Sequence, residues 1–186
     1  MRKVVFGVNI TVDGCCDHTQ VIADDELHEY YTDLLRDVDL VVFGRKTYQL
    51  FESYWPAVAK NQSETGAVNE FARTLDSVEK AVLSTTLKRV EWRNTRILRG
   101  NLRDEIVKLG HQEGKDISIG GLSIASQLAQ YDLIDEYHFV VQPMVAGKGP
   151  RFLQSCQIKK SLLMDLVGCK TFSSGAVAIH YRRHSA

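Results

Sequence analysis

Two junctions in the chain pair a short apolar run with glycine and the start of a helix. The first is Val42-Phe43-Gly44-Arg45-Lys46-Thr47-Tyr48. Gly44 lets the backbone turn, and the free N–H groups and dipole of the next helix attract an anion. Arg45 and Lys46 add two cations there, and Thr47 adds a hydroxyl. The second is Ile117-Ser118-Ile119-Gly120-Gly121-Leu122-Ser123. Its glycine pair offers bare backbone where a phosphate or ring must come close, and Ser123 can cap the following helix. A third run, Val82-Leu83-Ser84-Thr85-Thr86, presents three hydroxyls to a ribose or its phosphate. Each segment also reads as an ordinary turn. Together they point to an extended diphosphate ligand. Neither Gly-x-Gly-x-x-Gly nor Gly-Lys-Ser/Thr occurs, so these are not Rossmann or Walker loops.

Proton chemistry has three candidates. His28 lies at the edge of a buried helical stripe, with Glu29 beside it, and Asp13 follows the first strand in Thr11-Val12-Asp13-Gly14. His28 as a surface histidine and Asp13-Gly14 as a plain turn are the competing readings. Tyr31 and Tyr48 can stack on a flat substrate or fill a core. Val145 to Phe152 is a glycine-rich loop that can cover a ligand, meet a partner subunit or simply connect strands. Cys15, Cys16, Cys156 and Cys169, with six histidines including His18, show no metal-ligand spacing. No metal is expected.

The elements that must position these residues alternate. Strands are predicted at Lys3 to Thr11, Leu40 to Phe43, Lys80 to Ser84, Arg96 to Arg99 and Asp116 to Ile119. Helices are predicted at Asp25 to Arg36, capped by Asp24, at Thr47 to Val58 with Pro56 interrupting, at Asn69 to Leu75, Leu102 to Leu109, and Ser123 to Ala129. Glu136 to Pro143, Ser161 to Thr171 and Ala176 to Arg182 then read as strands without helices between them. Alternation implies parallel pairing with right-handed crossovers, and the terminal strands imply antiparallel additions. The expected fold is a single-domain, three-layer α/β sandwich over residues 1–186, with a mixed, mostly parallel sheet. Ligands of such sheets bind beyond the carboxyl ends of the strands.

Composition narrows the partners. The 186 residues carry 23 Lys plus Arg against 23 Asp plus Glu, a formal charge of zero. No global field exists to hold a nucleic acid or an anionic membrane. At 44% hydrophobic residues, a core forms without disulfide or metal support. No stretch approaches the roughly 20 apolar residues of a membrane span. Val4 to Ile10 is too short and too broken for an export signal, so a cytoplasmic location is expected.

In their order, Asp13-Gly14, Gly44-Arg45-Lys46-Thr47-Tyr48, Leu83-Ser84-Thr85 and Ile119-Gly120-Gly121 resemble the dihydrofolate reductase-like superfamily. Asp135-Glu136 through Gly147-Lys148-Gly149-Pro150-Arg151-Phe152 is similar to one branch of it, the stand-alone relatives of the riboflavin-pathway reductase domain. The resemblance spans about residues 3 to 183 and implies NADPH as cofactor and a homodimer. By that likeness Arg45, Ser84 and Thr85 face the 2′-phosphate, and Lys46 and Thr47 hold the diphosphate. Gly120, Gly121, Leu122, Ser123 and Ile124 line it from the other side, with Val8, Asn9 and Ile10 near the nicotinamide. Two departures stand out. Folate enzymes place a carboxylate where this chain has His28, and the tryptophan of their first loop is missing from Cys15-Cys16-Asp17-His18. The resemblance therefore implies an NADPH-dependent reductase of a small heterocycle or carbonyl other than dihydrofolate. Its alternatives are a ribosylaminopyrimidine phosphate reductase and a nucleotide-binding module without turnover.

Overall fold

A computed structural model of the chain describes residues 1–17, 19, 21–154, 156, 158 and 160–184. His18 lies outside the described residues.

The chain begins with β1 (Val4–Thr11), α1 (Asp25–Arg36), β2 (Val38–Gly44), α2 (Arg45–Glu52), α3 (Trp55–Asn61) and α4 (Gly66–Ser77). It continues through β3 (Glu79–Leu83), β4 (Thr95–Leu98), α5 (Leu102–Gly110), β5 (Asp116–Gly120) and α6 (Leu122–Gln130). It ends with β6 (Glu136–Gln142), β7 (Met164–Thr171) and β8 (Val177–Arg183). The eight strands form one sheet in the order β4-β3-β2-β5-β1-β6-β8-β7. β1 to β6 are parallel, so their carboxyl ends share one edge. β8 runs antiparallel to β6, and β7 antiparallel to β8. This is the expected mixed sheet of a dihydrofolate reductase-like fold.

Alternation along β2 shows how the layers form. Leu40 and Val42 face a core with Phe6, Ile106 of α5 and Leu128 of α6. Val41 and Phe43 face the other side, against Leu35 of α1, Tyr48 of α2 and Phe71 of α4. Each side chain fully buried here contributes on the order of 1.5–3 kcal/mol. Asp24 caps α1 as predicted, accepting from the Leu27 N–H at 2.8 Å. Asp25 and Glu26 fill its positive first turn.

The structure corrects the sequence reading in several places. The helix expected over 47–58 is two helices. Pro56 stands in the first turn of α3, where its missing N–H costs nothing, so it starts a helix rather than interrupting one. The short helix at Asn69 begins earlier, at Gly66, because the Thr65 hydroxyl caps it. β6 is parallel to β1, because α6 carries the chain back across the sheet before it. The strand expected from Ser161 starts at Met164.

Candidate functional site

β1 lies in the middle of the sheet, yet its burial changes along its length. Val4, Val5 and Phe6 are buried, whereas Gly7, Val8, Asn9 and Ile10 are only partly so. The carboxyl half of this central strand is thus less tightly covered than its amino half. Both glycine junctions end at that edge, since β2 and β5 are adjacent and Phe43 pairs with Gly120.

The junctions touch. A Cβ on Gly121 would stand 2.6 Å from the Thr47 hydroxyl oxygen and 3.8 Å from the Gly44 nitrogen. One on Gly120 would collide with the Phe43 ring, and one on Gly44 would reach Ile124 at 3.5 Å. Gly121 also has φ +120°, a conformation that L side chains rarely adopt. Sequence here is dictated by two backbones drawn together.

α1, α4 and α5 have side-chain caps from Asp24, Thr65 and Asn101. α2, α3 and α6 have no side-chain cap and no acid in the first turn, and of these α2 and α6 start at glycines, Gly44 and Gly121. Ser123 was expected to cap α6, but it stands exposed inside the first turn. Two uncapped helix N-termini thus lie side by side, their N–H groups free for an anion. Arg45 and Lys46 are exposed there and have no carboxylate partner among the described residues; Arg45 lies 3.5 Å from the Gln49 amide oxygen. Ile119 and Ile124 are buried, while Leu122 and Leu83 are half-buried edges.

At the third strand end, Ser84 is not an open hydroxyl. Its oxygen accepts from the Thr86 and Leu87 N–H groups at 3.2 and 3.0 Å, shaping the turn. Thr85 is exposed. Arg99, at the end of β4, donates to the carbonyls of Ser84, at 2.7 Å, and of Leu87. Sequence reasoning missed Arg99, because only the pairing of β3 with β4 brings it there.

The acid–base candidates separate. Asp13 accepts from the Thr11 hydroxyl, the Ala146 and Gly147 N–H groups at 3.0 and 2.9 Å, and Arg151 at 3.1 Å. Those donors hold its carboxyl well below the usual carboxylate range, the Thr11 hydroxyl contributing most. It is a clasp, not a proton donor. The glycine-rich loop is therefore fastened to the loop after β1, with Val12 N–H on Met144 at 2.9 Å and Cys16 N–H on Pro150 at 2.7 Å. Glu29 is exposed on the outer face of α1 and is also no donor to a site. Tyr48 is fully buried; its hydroxyl donates to Glu52, so it packs the core and stacks on no substrate.

His28 and Tyr31 remain. The His28 ring meets Phe71 and Trp55 edge-on, with ring centres 5.7 and 6.1 Å away. Its Nδ1 lies 2.7 Å from the Asp24 carbonyl. A carbonyl only accepts, so Nδ1 carries the proton and Nε2 is the exchangeable nitrogen. Tyr31 packs over Gly7, where a Cβ would meet its ring at 3.1 Å. The Tyr31 hydroxyl is buried and has no hydrogen-bond partner among the described residues. Burial, chiefly, pushes it far above the usual phenol range. Gln142, unnoticed in the sequence, is buried and donates to the Asn9 amide oxygen at 3.4 Å, and it accepts from Ile22 N–H. It holds the Asn9 side chain over the open half of β1.

Known proteins resemble this chain along its length. The uncharacterized protein YyaP of Bacillus subtilis is 29% identical over 187 residues, covering 97% of this chain and 94% of that one. A crystal structure described as a riboflavin biosynthesis protein of Shewanella aligns with TM-score 0.72 at 20% identity, covering all of both chains. Dihydrofolate reductase from Enterococcus faecalis, complexed with NADP(H), aligns with TM-score 0.63 at 11% identity over 98% of this chain and 97% of that one. The two structural likenesses establish a shared fold. Residues 2–178 match the RibD C-terminal domain, and the chain belongs to that family.

Proposed function

We propose that the chain is an NADPH-dependent reductase acting on a small heterocyclic or carbonyl acceptor. The adjoining, uncapped N-termini of α2 and α6 carry this reading. Two bare helix ends beside two cations without a carboxylate partner among the described residues suit a diphosphate, and the glycine contacts leave the backbone open to it. The RibD family and its dihydrofolate reductase-like fold support a reductase role.

Arg45 would meet the extra phosphate of NADPH, with exposed Thr85 beside it, because a guanidinium matches a phosphate dianion. Lys46, Thr47 and the Gly120–Ile124 backbone would hold the diphosphate. Val8, Asn9 and Ile10 would form the floor beneath the nicotinamide, which supplies the hydride when bound. Tyr31 would offer its hydroxyl to the acceptor, giving that buried group the partner it lacks. His28 would hold the proton for the reduced product at Nε2. A ribosylaminopyrimidine phosphate, the alternative acceptor, needs a second anion site. Of the two cations on the late loop, Arg151 is already committed to Asp13, which leaves Lys148 alone.

The test is NADPH titration followed by loss of its reduced-band absorbance with pterin, pyrimidine and quinone acceptors. Binding with oxidation supports the reductase. Tight binding without oxidation across the panel supports a nucleotide-binding module instead. No binding overturns both.

A further inference from the structure

A second constellation lies at the other end of the sheet. Glu136 opens β6, and His138 follows on the same face. His180 of β8 is directly across from His138, and their rings stack with centres 4.0 Å apart. One donor atom from each of Glu136, His138 and His180 lies within 4.8 Å of the others. All three line a cavity of about 580 Å³, together with Lys3, Asp37, Lys115 and Asp116. Lys3, Val38, Asp116 and Glu136 mark the amino ends of β1, β2, β5 and β6, so this cavity is remote from the glycine junctions.

We propose that Glu136, His138 and His180 bind one divalent transition-metal ion of the zinc class, with an open coordination position facing that cavity. Two imidazoles and one carboxylate form a donor set suited to such ions, and three protein ligands leave room for a water or substrate atom. Glu136 and His138 are only 7% and 5% exposed, so the backbone and core preset two of the three ligands, while the more exposed His180 ring turns out of its stack on His138 so that both in-plane lone pairs reach one ion. The cavity supplies an entry path.

The surroundings fit this role. The Tyr30 hydroxyl lies 2.7 Å from Nδ1 of His138; with Nε2 on a metal, Nδ1 would keep its proton and donate it to the phenol oxygen. Such an outer partner orients a ligating imidazole. Glu136 is at present paired with Lys3 at 2.9 Å, His180 at 3.0 Å and Arg182 at 3.4 Å. The Lys3 and Arg182 side chains are 50% and 53% exposed. Both cations can therefore turn to solvent as the metal takes over the charge of the buried carboxylate.

The full chain, stripped with chelator, is titrated with Zn²⁺ by calorimetry at neutral pH, and with Co²⁺ by visible absorption. One equivalent should bind, with the ligand-field bands of four- or five-coordinate Co²⁺. His180→Gln and Glu136→Gln should each weaken Zn²⁺ about tenfold or more, and Tyr30→Phe about tenfold. His111→Gln, exposed at the end of α5, should change nothing. Thermal unfolding shows whether each variant is folded, and the Co²⁺ spectrum of the native chain needs no variant. No Zn²⁺ uptake by the native chain, or uptake indifferent to both ligand substitutions, overturns the proposal. Neither result bears on NADPH.

Discussion

Gly121 lies so close to Thr47 that a single added carbon would stand 2.6 Å from the threonine hydroxyl oxygen. This contact joins the turn after β5 to the turn after β2. Gly121→Ala should therefore do two kinds of damage. Forcing a Cβ onto φ +120° costs about 1–3 kcal/mol of stability, and the pushed-apart helix ends lose their anion. The expected result is a lower unfolding temperature and NADPH binding weakened by at least about tenfold, measured by calorimetry. Unchanged NADPH affinity would mean the cofactor does not lie between α2 and α6.

Arg45→Ala separates the two nicotinamide cofactors. Only NADPH carries the extra phosphate, so its affinity should fall by roughly tenfold to a hundredfold, the equivalent of about 1.5–3 kcal/mol for a charge-assisted contact. NADH affinity should barely move. Equal losses for both cofactors would remove Arg45 from this role. The side chain is exposed, so stability should be unaffected.

Tyr31→Phe deletes a buried hydroxyl that has no partner among the described residues. Removing an unsatisfied group should leave stability unchanged or slightly higher. If the acceptor supplies the partner, KM for the acceptor should rise about three- to tenfold, from the loss of one neutral hydrogen bond, while NADPH affinity stays constant. A destabilised variant with unchanged KM would show that the hydroxyl serves the fold.

His28→Gln retains a polar side chain of similar length against Trp55 and Phe71 but cannot deliver a proton. With an accepted substrate, turnover should fall by about 10²–10⁴, the usual worth of a positioned acid. NADPH binding should persist. Turnover within a few-fold of the parent chain would assign the proton to water.

Asp13 predicts an acid response of the late loop. Its folded pKa lies below the ordinary carboxylate value, so its contribution is fully present above that value and is lost as pH falls through the folded one. Hydrogen exchange at the Ala146 and Gly147 amides should accelerate on acidification beyond its intrinsic pH trend. In Asp13→Asn the same amides should be poorly protected already near neutral pH. Equal protection in both proteins would show that backbone contacts alone hold the loop.

Much of this was legible in the residues. Alternating apolar runs and helical stripes specify a parallel sheet with crossovers, because each pattern suits one backbone period. Asp24 announced its helix through capping chemistry. The glycines at 44, 120 and 121 marked places where a side chain does not fit. Such signals are local, written in neighbours along the chain.

Other decisions needed distant partners. Tyr48 and Tyr31 are both helical aromatics, and only packing buries one completely while leaving the other's hydroxyl unpaired. Asp13-Gly14 reads as a turn until Ala146, Gly147 and Arg151 arrive from the far end of the chain to fix the carboxylate. Ser84, similarly, spends its hydroxyl on its own turn. Glu136, His138 and His180 have no recognisable spacing, because antiparallel pairing of β6 with β8, not sequence distance, sets two of them face to face. Types and periods are properties of short segments; contacts between charges and donors are properties of the closed sheet.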